Sequence, residues 1–155
     1  METYLLPCLW AFGACLGFSV IFNIHGLGMF ICGAGGALGW LVYLLCSRPL
    51  GLGDMWSALL AGVAISAWSE AMARLRKCPV TGYLLVAFFP LVPGAGIYYT
   101  MYYFIMNDNA ACLQKGIETI KIAVAIALGV VLVLALPRGT FRGFAMGKET
   151  SKREP

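Results

Sequence analysis

The run FFPLVPGAGIYYT, residues 88–100, decides how this chain is built. It sets two prolines and two glycines within residues 90–96, inside a long apolar segment. Proline removes a backbone donor and its ring clashes with the preceding turn, costing roughly 3 kcal/mol in a helix interior. The flanks, VTGYLLVA before and MYYFIM after, are greasy. The segment therefore reads as two half-helices, about 80–89 and 97–106, around a break. Whether such a break is tolerable depends on the solvent around it.

Composition identifies that solvent. Of 155 residues, 61% are hydrophobic and only 12% charged, against about 25% in an ordinary soluble domain. Mean hydropathy is +0.84. A soluble domain of this length cannot cover so much apolar surface, so the reading is an all-α polytopic membrane protein. Five segments reach or approach the roughly 20 residues needed to cross a bilayer core: 5–21, 27–46, 55–73, 80–106 and 117–136. The fourth contains the break. Together they form a transmembrane domain over residues 1–137, followed by a basic tail over 138–155. A four-span arrangement, with the first or fifth segment lying flat, is the competing count. The N-terminus carries Glu2 and no basic residue before its apolar run, so the first segment is expected in the mature protein.

Orientation follows from lysine and arginine. With five spans, residues 74–77 and the tail share one side. That side holds Arg74, Arg76, Lys77, Arg138, Arg142, Lys148, Lys152 and Arg153, eight of eleven basic residues; Arg48, Lys115 and Lys121 take the other. The expected placement is the cell membrane, with the N-terminus outside and the C-terminus cytoplasmic.

Burial does not drive helices together in lipid, so close approach of backbones must, and this needs small residues. Gly28, Cys32 and Gly36 lie on one line of the second span, with Gly35 and Gly39 beside it. Ala58, Gly62, Ser66 and Glu70 line the third, and Lys121, Ala125 and Gly129 the fifth. The six cysteines, Cys8, Cys15, Cys32, Cys46, Cys78 and Cys112, read as small packing residues. His25 is the sole histidine, and nothing suggests a catalytic set, a metal or a cofactor; neither an enzyme nor a nucleic-acid binder is expected.

Two carboxylates fall in or near spans. Glu70 is either a boundary ion pair with Arg74 or a proton or substrate site. Glu118 reads as the start of the fifth helix, where the dipole favours an anion, with Lys121 three residues on. Both are candidates for proton or ion coupling. The break is the candidate substrate site. Unpaired backbone groups in hydrocarbon are tolerated only when buried in protein or lining a wet cavity, as in the broken helices of transporters. Pro90 and Pro93 make the break, Gly94 and Gly96 let a ligand approach, and the following helix start offers N–H groups to an anion. Tyr98 and Thr100 supply neutral hydrogen bonds, and Tyr102 and Tyr103 suit an interfacial aromatic belt.

Five stretches resemble the threonine/serine exporter (ThrE) family, in its small YjjB-like form: FNI at 22–24, GALGWLVY at 36–43, SEAMARLRKCP at 69–79, PLVPGAGIYYTM at 90–101 and GIETIKIAVAIALG at 116–129. The PLVPG core with its following tyrosine is the most specific. The resemblance implies export of small hydrophilic metabolites, threonine and serine or C4-dicarboxylates such as succinate, driven by the proton gradient. It also implies a larger partner subunit with a soluble N-terminal domain and further transmembrane helices; failing that, a homo-oligomer in the lipid bilayer is expected. The chain departs from the family pattern at Ile24, His25 and Gly26, at Val86 and Ala87, and at Tyr99, where relatives often carry arginine. A structural subunit without its own site is the alternative function.

Overall fold

The computed structural model describes residues 2–135, which form helices joined by short connections. The helices are α1 (Glu2–Ile21), α2 (Leu27–Ser47), α3 (Asp54–Arg76), α4 (Val80–Phe88), α5 (Gly94–Ile105) and α6 (Asn109–Leu134), with a 3₁₀ turn at Phe89–Leu91. The tail assigned to residues 138–155 lies outside the described residues. Helices α1, α2, α3 and α6 are long and apolar enough to cross a membrane, and α4 with α5 forms a bent pair at 52°.

Packing shows that the bent pair is one crossing. Gly62 of α3 meets Ile126 and Gly129 of α6, and Asp54 at the start of α3 lies within electrostatic reach of Lys115 near the start of α6. Helices α3 and α6 therefore run in the same direction. The chain between them must return across the bilayer, and a re-entrant loop would not do so. The expected five spans follow, with the fourth broken.

Small residues set the crossings. All five small residues named on α2 are buried, as are Ala58, Gly62 and Ser66 on α3 and Ala125 and Gly129 on α6. The tightest crossing is α3 on α6: a Cβ added at Gly129 would stand 2.6 Å from the Leu59 carbonyl oxygen. Around it, Ala58, Ala61, Ile65, Ala87, Leu91 and Ile126 form one apolar core. A second core, Cys15, Cys32, Ala73, Tyr83 and Val86, joins α1 to α2, α3 and α4. The cysteines are free and pack as small residues.

Of the boundaries that differ from the sequence reading, two bear on the candidate site residues. Helix α6 begins at Asn109 rather than near residue 117, because Asp108 caps it, its carboxylate accepting from the Ala111 N–H at 3.1 Å. Helix α5 begins at Gly94 rather than near residue 97, immediately after Pro93.

Gly129→Ala is expected to lower the melting temperature of the detergent-solubilised protein, since forcing a methyl into packed backbone costs roughly 1–3 kcal/mol. Gly13→Ala, where an added Cβ meets nothing within 4 Å, should leave it unchanged or raise it. An unchanged melting point for Gly129→Ala would mean that α3 and α6 do not cross there.

Candidate functional site

The break begins where Pro90 cannot donate to the carbonyl four residues back, Val86. That carbonyl is served by two other donors: the Phe89 N–H, in the tighter 3₁₀ pattern, and the Cys15 thiol of α1 at 3.3 Å. Phe89 is held from the same side by Phe18, stacked at 3.9 Å between ring centroids. The break's inner wall is thus α1 and α2, with Leu91 buried against the core. Leu91 sits level with Gly39 of α2. Gly39 is eight residues, about 12 Å, from the end of α2 at Ser47 and about 18 Å from its start. The break therefore lies within the span.

Beyond Pro93 the surroundings change. The Gly94 N–H bonds back to the Val92 carbonyl at 2.7 Å, and the Ile97 N–H to Pro93 at 3.2 Å. Ala95 and Gly96 lie in the first turn of α5, where helix geometry supplies no acceptor for their N–H groups, and no side chain caps this end. Gly94 and Ala95 are exposed, and a Cβ added at Gly94 would meet nothing within 4 Å. An open, uncapped helix start of twelve residues thus faces away from the bundle, with the dipole favouring an anion there.

The predicted residues fall into different positions around this point. Pro90 and Pro93 are half-buried and shape the bend. Gly96 is not open to a ligand from the α6 side: it receives Thr119, whose hydroxyl oxygen an added Cβ would strike. Thr100 donates to the Gly96 carbonyl at 2.7 Å, leaving its oxygen lone pairs for a further donor. Tyr98 is 64% exposed and stacks along the helix on Tyr102, centroids 6.4 Å apart; Tyr99 and Tyr103 form a parallel row. Helix α5 has no buried residue and packs on α6.

The two carboxylates lie elsewhere. Glu70 accepts from the Arg74 Nε–H at 2.8 Å at the end of α3, its side chain 20% exposed. Glu118 does not begin its helix: it lies nine residues after Asn109, beyond the first turn where the dipole acts. It pairs with Lys115 at 2.7 Å rather than with Lys121. Neither carboxylate contacts the break.

A groove of about 560 Å³ lies on the other flank, between Leu84, Phe88, Val92 and Pro93 on one side and Ile126 and Val130 on the other. Its lining is wholly apolar, so it suits hydrocarbon and offers no hydrogen bond to a hydrophilic solute. Sequence reasoning missed Cys15 and Thr119. Only the spacing of Cys15 within an apolar helix was visible, and nothing in it pointed to Val86.

With this geometry in place, the comparison with known families is direct. The family described as Threonine/Serine exporter, ThrE, matches residues 7–136. No curated protein and no solved structure matches the chain. The chain belongs to the threonine/serine exporter family, and its helices are those of a multi-pass membrane transport protein.

Gly96→Ala should lower the melting temperature by overpacking against Thr119, by roughly 1–3 kcal/mol. Adding Thr119→Ala should recover part of that loss, since the closest atom is the Thr119 hydroxyl. Strictly additive effects would show that the two residues do not touch.

Proposed function

We propose that this chain is the small membrane subunit of a split exporter of small hydrophilic metabolites, threonine and serine or C4-dicarboxylates such as succinate. It works with a larger subunit that carries a soluble N-terminal domain and further transmembrane helices. The observation that carries the reading is the uncapped start of α5, open at Gly94 and set within a membrane span. A substrate carboxylate there accepts from the N–H groups of Ala95 and Gly96. Tyr98 and Thr100, in the turn that follows, supply neutral hydrogen bonds. No cation of this chain stands at position 99, so the clamp is neutral and the partner completes it.

The basic residues 74–77 and those of the tail put the C-terminus in the cytoplasm and the N-terminus outside the cell membrane. The proton gradient drives export, with Glu70 the leading coupling candidate and Glu118 the second. Each would have to leave its ion pair to take up a proton. The Lys115–Glu118 pair is largely open to its surroundings, so breaking it is cheap, whereas the Glu70–Arg74 pair is partly buried and holds its carboxylate more firmly.

Gly94→Leu should abolish export of labelled threonine, serine or succinate from loaded cells while membrane insertion and melting stay normal, because the added side chain enters open space. Normal export by that variant would remove the break as the site. A reporter enzyme fused after Lys152 should be active only in the cytoplasm. Glu70→Gln should leave the protein inserted and assembled and stop proton-driven export; retained export would take Glu70 out of the coupling path.

A further inference from the structure

Helix α6 carries a polar face that the bundle does not use. Ala110, Leu113, Gln114, Ile117, Glu118 and Lys121 line a shallow depression on its outer surface. Thr119 points to Gly96 of α5. At about 100° per residue, Glu118 and Lys121 point well away from that contact. Lys115 is the seventh residue of α6, which starts at Asn109. Lys121 lies six residues further along, about 9 Å deeper into the span. Lys121 is exposed; Glu118 lies within electrostatic range of it but closes its ion pair with Lys115, so two lysines share one carboxylate. Glu118 already accepts from Lys115 and faces Gln114. The order along the face is plus, minus, plus, which leaves one positive charge unanswered.

A second copy of this chain does not answer it. Copies related by a rotation about the membrane normal present the same residues at the same depth, and in a two-fold pair through this face Lys121 would oppose Lys121. Four carboxylates of this chain, Asp54, Glu70, Asp108 and Glu118, are also engaged. Asp54 accepts from the Tyr43 hydroxyl, Glu70 from Arg74, Glu118 from Lys115, and Asp108 caps α6.

We propose that the face of α6 bearing Gln114, Glu118 and Lys121 seats a membrane helix of a different chain, and that this helix carries a carboxylate level with Lys121. The proposal rests on the hetero-subunit reading above and adds where the partner docks and which residue type it brings. Charged groups in spans face protein or water and are paired there, and a Lys–carboxylate pair shielded by two helices meets that need. Removing one member of such a shielded pair strands the other charge, so the assembly depends on both.

The test uses the full tagged chain, purified in mild detergent from its native membrane with the subunit that accompanies it, identified by mass spectrometry. Lys121→Leu and Lys121→Glu should each reduce the companion recovered per tagged chain at least ~tenfold, and Lys121→Arg should retain it. Lys121→Leu is more apolar than the wild type and inserts at least as readily, so its loss of companion is not a failure to insert. Changing the companion's intramembrane carboxylate to lysine should restore binding to Lys121→Glu. A companion retained in full by Lys121→Leu and Lys121→Glu overturns the proposal and leaves the hetero-subunit reading standing: Lys121 then only reaches up to the lipid headgroups. A failed charge swap overturns the pairing. A wild-type preparation holding copies of this chain alone overturns the hetero-subunit reading itself.

Discussion

Hydrocarbon offers no hydrogen bonds, and this constraint organises the chain. Two prolines in one span cancel two backbone donors, and each orphaned carbonyl in lipid would cost several kcal/mol. The structure answers the first with a thiol. Cys15 donates to Val86, and Cys15 sits against Gly36, where a Cβ would meet its sulfur. Without the small residue on α2, α1 could not bring that thiol to the carbonyl. The Phe18–Phe89 stack closes the same side. The arrangement of α1, α2 and α4 is thus largely a device for covering one face of a break.

The other face is left open, and the consequences run through α5 and α6. The bend of 52° carries α5 onto α6, away from the other helices. No residue of α5 is buried, and none of α6 before Ala125. Beyond Ala125 the helix returns to the core through Gly129. The chain is therefore built in two parts: a packed bundle ending at the 3₁₀ turn, and a hairpin held to it by the far half of α6. Few buried contacts mean low local stability, so the hairpin is the element that opens or shifts at least cost.

Much of this was legible in the sequence. Hydropathy marked the spans, and Pro90, Pro93, Gly94 and Gly96 marked the break, because both signals are local. The small stripes on α2 and α3 were legible for the same reason. What escaped depended on contacts distant in sequence or on a single cap. Gly96 looks like a residue that admits a ligand, and only the position of α6 shows that it admits Thr119. Glu118 looked like a helix start because residues 109–116 are less apolar than residues 117–134, and the Asp108 cap moves the start back to Asn109. Lys121 shares a line with Ala125 and Gly129, yet those two are buried and Lys121 is not. The stripe diverges in exposure: it is covered at Ala125 and Gly129 and open at Lys121.

That divergence explains how a chain so short can carry both a packed core and polar groups inside a membrane. Where α6 lies on α3, glycine meets backbone and no polar side chain fits. Before Ala125 no residue of α6 is buried, and Gln114, Glu118 and Lys121 have no second layer of this chain to shield them. The apolar groove beside Val92 and the polar face of α6 flank the same hairpin with opposite chemistry. Lipid tails can fill the first without cost. The second requires groups that hydrocarbon lacks, so the surroundings of the hairpin differ on its two sides. The open start of α5 lies on this same unshielded hairpin, which puts the candidate site and the polar face of α6 on one structural element.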